Sequence, residues 1–269
     1  MAKKIALDAG HGLSTAGKQT PDGIKEWSLN DKVRDKVVNI LKGYDVEIIH
    51  TDKDEGKTDD SLTTRRNMYV NTKVDAFVSI HHNAYTGDWN NATGVEVFTD
   101  RNSTAKDKEL AKLIYNRMVE YTGLKGRGIK EYNFAVINQD SIPAVLCEGG
   151  FMDGTKDYKY ITSDEGQTAY AKAVAEGLIE FLDLKKKKTT TTKKPTTPEP
   201  EPAAKKENSS FLVKVTANSL RIRKGPGTNY ATVAYINDKG TYTIVETKEG
   251  WGKLKSGAGW ISLDYTKRV

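Results

Sequence analysis

The stretch DAFVSIHHNA, residues 75–84, decides how this chain folds. Its apolar residues do not alternate with polar ones: Phe77, Val78 and Ile80 fall on both faces of an extended strand. A strand that is apolar on both faces belongs in a sheet covered on both sides, as in α/β folds. The run then passes into His81, His82 and Asn83. In open sheets of this class, chemistry gathers beyond the carboxyl ends of the strands. The segment therefore indicates both a fold class and a place to look for a site.

On either side, strand-like runs and helical patterns alternate. KKIALD (3–8), DVEIIH (45–50), GVEVFT (94–99) and PAVLCEGG (143–150) read as strands. Helical patterns cover 27–42, 61–73, 103–122 and 164–183; in the last, Tyr170, Val174, Leu178 and Phe181 recur at helical spacing, which core packing explains. The expectation is an α/β open mixed sheet flanked by helices over residues 1–184. Residues 185–210, KKKKTTTTKKPTTPEPEPAAKKENSS, lack large apolar side chains and cannot bury a core, so they read as a semi-rigid solvated linker. Residues 211–269 change pattern again. Short alternating strands separated by KGPG, NDKG, KEG and SGAG predict a small all-β barrel. It contains no histidine or cysteine, so binding rather than catalysis is its expected role.

Composition narrows the function classes. Residues 1–184 carry 24 Lys and Arg against 29 Asp and Glu, a net of −5. Residues 185–210 carry 8 against 3 and residues 211–269 carry 10 against 4, so +5 and +6, or +11 together. An acidic body with a basic tail suggests an anionic partner for the tail. No run approaches the ~18 apolar residues of a membrane helix. The first apolar run, Ile5 to Leu7, is broken by Asp8 and is too short for a signal-peptide core. The lone cysteine, Cys147, excludes an internal disulfide and a cysteine-based zinc cluster, leaving His, Asp and Glu as zinc donors.

There are four histidines: His11, His50, His81 and His82. In LDAGHG (7–12), His11 follows the first strand between two glycines. It is either a surface residue on a tight turn or a metal ligand whose glycines let the backbone fold close to an ion. In SIHHNA (79–84), alternation sends His81 and His82 in opposite directions, so only one easily faces a site, and His82 is left without a role. GIKEWSLN (23–30) places Glu26 at a helix start and Asn30 one turn later. The helix dipole alone accounts for a glutamate there. Taken together, His11, Glu26 and His81 make a two-histidine, one-carboxylate zinc set with a fourth position open, as in hydrolases rather than structural sites. In AVLCEGGF (144–151), Glu148 ends an apolar strand, where an unpartnered acid is costly. It reads as a solvated loop residue or as a general base for zinc chemistry.

LDAGHG, EWSLN (26–30), SIHHNA and LCEGGF occur in the order found in the zinc-dependent N-acetylmuramoyl-L-alanine amidases of bacterial autolysins and phage lysins, and about residues 3–183 resemble that family. The resemblance implies Zn²⁺ bound by His11, Glu26 and His81, with Glu148 as the catalytic glutamate and Asn83 shaping the ligand strand. The implied substrate is the amide joining the lactyl group of N-acetylmuramic acid to L-alanine of the stem peptide. Two departures stand out. HTDKDE (50–55) lies where the family often has arginine, and LTTRRNMYVN (62–71) offers Arg65 and Arg66 for one family arginine, so neither is assigned. YTGDWNNATG (85–94) is expected as a loop beside the site, with Trp89 either touching substrate or lidding the core.

Residues 213–266 resemble the bacterial SH3-like domains that anchor wall hydrolases, on SLRIRKGPGTNY (219–230) and EGWGKLKSGAGWISLDY (249–265). That implies peptidoglycan binding, with Trp251, Trp260, Tyr230 and Tyr265 as candidate contacts and at least one tryptophan in the core. The expected partners are bacterial peptidoglycan and anionic wall polymers, with no nucleic acid and no membrane. The acidic body, and a linker whose basic residues are not interleaved with aromatics, weigh against nucleic acid. The expected setting is a phage lysin without a signal peptide, held in the host cytoplasm until release to the wall, with an enzyme of mother-cell lysis in sporulation as the alternative. A zinc peptidase acting within the stem peptide and a non-catalytic wall-binding protein are the rival readings.

Overall fold

The computed structural model describes residues 2–52, 56–138, 141–187, 210–217, 220–227, 230, 232–236 and 238–269. The chain separates into two compact units, Met1–Lys188 and Thr189–Val269.

The first unit contains β1 (Lys3–Ala9), β2 (Val46–His50), β3 (Ala76–Asn83), β4 (Val95–Thr99), β5 (Gly126–Glu131) and β6 (Ala144–Phe151). Its helices are α1 (Glu26–Leu41), α2 (Leu62–Thr72), α3 (Ala105–Thr122), α4 (Thr155–Ile161) and α5 (Asp164–Phe181). The strands form one mixed sheet in the order β2-β1-β3-β6-β4-β5. β2, β1, β3 and β6 run parallel, β4 opposes β6, and β5 runs parallel to β4. Because β2 and β3 lie on opposite sides of β1, the strand order reverses between β1 and β3. The carboxyl ends at such a switch point open a crevice.

The two-faced strands are explained by two cores. Ile5, Leu7, Val78, Ile80, Val145 and Cys147 pack with Val33 and Val37 of α1, Ile114 of α3 and Val174 of α5. Ala6, Phe77, Ala144 and Leu146 face the other way, onto Tyr69 of α2 and Val136, Ile137 and Ile142. One face thus lies under three long helices, the other under one helix and an irregular segment. Tyr69 stacks on Phe77 at 4.0 Å between ring centroids and donates its hydroxyl to the Val136 carbonyl at 2.8 Å. Each fully buried side chain of this size stabilises by roughly 1.5–3 kcal/mol. α3 begins with a capping box between Thr104 and Asp107. The other Asp107 oxygen accepts the Ala144 amide at 2.8 Å, tying the helix start to β6.

The expected strands and helices are present with ends moved by one or two residues. β5 and α4 are additions. GRGIKE has one large apolar residue at a sheet edge, and seven residues of α4 are too few to display a period. The backbone of the first lysines after 184 still belongs to this unit: Asp45 donates to the Lys185 carbonyl and Lys187 to that of Gly43, both at 2.9 Å. The rest of the expected linker, 188–209, lies outside the described residues.

The second unit is an antiparallel sheet of β7 (Phe211–Val215), β8 (Leu220–Arg223), β9 (Thr232–Ile236), β10 (Thr241–Lys248), β11 (Trp251–Leu254), β12 (Trp260–Ser262) and β13 (Thr266–Arg268). Its order is β13-β7-β10-β11-β12-β8-β9, with β13 and β9 as unpaired edges among the described residues. Val213, Val215, Leu220, Ile222, Ile236, Ile244, Leu254 and Ile261 form its core.

Candidate metal and catalytic site

β1 ends at Ala9, and the chain turns through Gly10, His11 and Gly12. The left-handed conformation falls on the histidine, with φ 66°, not on either glycine. That conformation costs an L-residue about 1–2 kcal/mol and needs a restraint. Arg65 of α2 supplies it. Its guanidinium, 1% exposed, donates to the His11 carbonyl at 2.6 Å, the Ala9 carbonyl at 2.9 Å and Asp8 Oδ1 at 2.7 Å. Gly10 serves a different purpose. A Cβ there would overlap the His81 imidazole, so the missing side chain makes room for that ring.

His11, Glu26 and His81 converge, each offering a donor atom within 4.8 Å of the others. His11 Nε2 lies 3.2 Å from Glu26 Oε2 and His81 Nδ1 lies 3.1 Å from Glu26 Oε1. Glu26 is 2% exposed and pairs with no lysine or arginine among the described residues. Burial pushes its carboxyl up, and the two imidazoles outweigh burial and hold it below the ordinary carboxylate range. Ser79 adds a constraint. Its hydroxyl donates to Asp8 Oδ2 at 2.7 Å, so His81 Nε2, 3.1 Å from Ser79 Oγ, is the donor in the His81–Ser79 pair. In the neutral ring Nδ1 then carries a lone pair aimed at a carboxylate oxygen. Two such atoms face each other stably only with positive charge between them, a proton or a cation. Two imidazoles and one carboxylate suit Zn²⁺.

His82 points away from His81 and is buried, as strand alternation requires. Burial pushes its imidazole down to about 4, so the ring is neutral near pH 7. Nδ1 lies 2.8 Å from Asn30 Oδ1, and Asn30 Nδ2 donates to the Gly10 carbonyl at 3.1 Å and to Glu26 Oε1 at 3.4 Å. The His82 amide also donates to Glu26 Oε1, at 3.2 Å. Thus His82, given no role from sequence, supports the Asn30 that orients Glu26.

β3 and β6 are in register at His81 and Glu148, then again at Asn83 and Phe151. β6 uses one more residue than β3 over that interval, a bulge carried by Gly149 and Gly150. A Cβ on Gly149 would overlap the Tyr170 ring, whose hydroxyl donates to the Cys147 carbonyl at 2.8 Å. Glu148 is part-buried, and its Oε2 is enclosed without a hydrogen-bond partner among the described residues. Burial, then the charges of Glu26 and Glu96, push its carboxyl well above the ordinary value. A carboxyl so placed can hold and transfer a proton.

The remaining sequence candidates separate. Asn83 donates to Glu96 Oε1 at 2.6 Å on β4. Trp89 is half-exposed, edge-on to Tyr158 at 4.8 Å. His50 ends β2 opposite Leu7, outside the cluster. Arg66 donates to the Asn138 carbonyl at 3.2 Å, whereas Arg65 is the residue beneath the His11 turn. Arg65 and Tyr69, four apart, are the buried residues of α2; that spacing was the available signal. In the second unit Trp260 is buried, Trp251 half-buried, and Tyr230 and Tyr265 exposed.

Residues 5–180 match the family model described as N-acetylmuramoyl-L-alanine amidase, Amidase_3. The endolysin of Bacillus phage SPP1 is 35% identical over 189 residues, 69% of this chain and 68% of that protein. The N-acetylmuramoyl-L-alanine amidase of Clostridium difficile 630 aligns with a TM-score of 0.63 at 30% identity, over 68% of this chain and 97% of that one. The catalytic domain of CwlV, an N-acetylmuramoyl-L-alanine amidase from Bacillus (Paenibacillus) polymyxa var. colistinus, aligns at 0.62 and 31% identity, over 68% and 99%.

Proposed function

This chain belongs to the N-acetylmuramoyl-L-alanine amidase family Amidase_3, and we propose that it is a zinc-dependent enzyme of the phage-endolysin type, with His11, Glu26 and His81 as metal ligands and Glu148 as catalytic glutamate. Its reaction is hydrolysis of the amide between N-acetylmuramic acid and L-alanine of the peptidoglycan stem peptide. The observation that carries the residue assignment is the convergence of three donor atoms within 4.8 Å, with His81 paired directly with Glu148 in the β3–β6 register.

Zinc, when bound, polarises the scissile carbonyl and makes water a stronger acid. The chain supplies the rest. Ser79 fixes the His81 ring, Asn30 and the His82 amide hold Glu26, and Arg65 holds the His11 turn. Glu148 takes the proton of the attacking water and passes it to the departing alanine nitrogen, which leaves as an amine.

Residues 1–184 form the catalytic part, with the backbone of 185–187 paired to it; the rest of 185–210 serves as a linker, and 211–269 as an SH3-like domain that binds wall. Tethering raises the local concentration of the enzyme at an insoluble substrate. Similarity to a phage endolysin supports lysis of a host wall; in this reading the enzyme reaches the wall after release from the host cytoplasm. Among the described residues no helix is long and apolar enough to cross a membrane.

Mass spectrometry of digested peptidoglycan, with and without chelator, tests this reading. Intact stem peptides with new L-alanine amino termini, lost on chelation and restored by Zn²⁺, are expected. Cuts inside the stem peptide would make the enzyme a peptidase. Glu148→Gln should retain zinc and lose at least about 10²-fold in rate; full activity would remove Glu148 from its role.

A further inference from the structure

Beside the catalytic cluster lies a pocket of about 350 Å³ lined by Tyr85, Asn90, Asn91, Ala92, Arg127 and Phe151. Its cation is held in a fixed pose. Arg127 donates from Nε to Glu96 Oε2 at 3.0 Å, and its guanidinium carbon sits 4.8 Å over the Phe151 ring. Nη1 and Nη2 have no hydrogen-bond partner among the described residues. Glu96 also accepts from Lys130 and Asn83. One buried carboxylate therefore faces two cations, and the group keeps a net charge of +1. A guanidinium with its fork unused is built for a carboxylate.

The wall of the pocket is also preset. Asp153 Oδ2, just past β6, accepts the amides of Tyr85, Thr86 and Gly87 at 2.8, 2.8 and 2.9 Å. Asn90 Nδ2 donates to Thr86 Oγ1 and to the Asp88 carbonyl, closing the loop on itself. The side chain of Asn91 makes no hydrogen bond among the described residues and borders the same space. Little ordering remains for a ligand to impose.

Distance selects which carboxylate. Glu148 lies on β6, Glu96 opposite it on β4, and Arg127 on β5 beyond. Two strand spacings are about 10 Å, which two to three residues of extended peptide span at ~3.5 Å each. We propose that the Arg127 pocket is a specificity subsite for the free carboxylate on the stem-peptide residue that follows L-alanine. This rests on the amidase reading of the adjacent site.

The test uses the full chain, zinc-loaded, and two soluble muramoyl tripeptides that differ in one group: a free α-carboxylate or a carboxamide on the glutamyl residue after L-alanine. The carboxylate form should be preferred by about tenfold or more in kcat/KM, mainly through KM. Arg127→Gln should bring that ratio to near one without loss of zinc, and Arg127→Lys should keep part of it. A wild-type ratio near one, or a ratio that survives Arg127→Gln, overturns the subsite, and the wild-type comparison needs no variant to fold. If neither fragment is cleaved, the amidase reading fails separately, and calorimetric binding decides the subsite. Tighter binding of the carboxylate form keeps it; equal binding or none removes it.

Discussion

Arg65 binds three oxygens of one short turn, and those bonds decide where His11 stands. Replacing it with methionine keeps the apolar stem but takes the cation from the buried Asp8 carboxylate, which keeps only the Thr51 and Ser79 hydroxyls, and a donor from two carbonyls. Losing one partner of a buried charge pair costs about 3–5 kcal/mol. Arg65→Met should therefore melt well below the parent and bind zinc more weakly. Arg65→Lys should restore little, because an ammonium cannot reproduce the fork. Thermal melts with zinc analysis check this; a normal melt with full zinc would show that the turn holds itself. His11, Glu26, His81 and Glu148 were legible as candidates because each is a chemically distinctive residue at the end of an element. The support that Asn30, His82 and Arg65 give the site was not, because their work lies in contacts between elements far apart in the chain. Of Arg65 and Arg66, the former is the buried side chain of α2.

At the scale of elements, Asp52 joins pieces that the sheet alone does not. Just beyond β2, it accepts the Ala9 amide from β1 and Trp27 Nε1 from α1, each at 3.3 Å, and pairs with Arg34 of α1. Burial pushes its carboxyl up, and Arg34 outweighs burial and leaves it below its ordinary value. A lowered folded-state value means that protonation favours unfolding. The stabilisation is complete above the unfolded value, about 3.9, and is lost as pH falls through the folded one. Denaturant midpoints between about pH 7 and 2 should fall on the acid side, and Asp52→Asn should start lower and fall less. Identical slopes for the two proteins would exclude Asp52 as a source. The main strands and long helices could be read because each carries its own apolar pattern. β5 and α4 could not, since an edge strand with one large apolar residue and a two-turn helix owe their form to neighbours.

At the scale of the whole molecule, charge is divided between segments, −5 over 1–184 and +11 over 185–269. Removing 211–269 should weaken attachment to purified walls far more than hydrolysis of soluble fragments, and raising salt should weaken attachment of the full chain. Equal losses in sedimentation and soluble-substrate assays would assign the tail a part in catalysis. The change of pattern after 184 was plain from composition; the pairing of 185–187 with 43–45 was not, because backbone hydrogen bonds leave no mark on residue type. One more property follows from Cys147, sealed behind Glu148 in the larger core, with burial disfavouring its thiolate. A chain with this one thiol has no cross-link to form when it meets an oxidant and none to lose in a reducing interior. Folding of this unit therefore does not depend on the redox state of its surroundings.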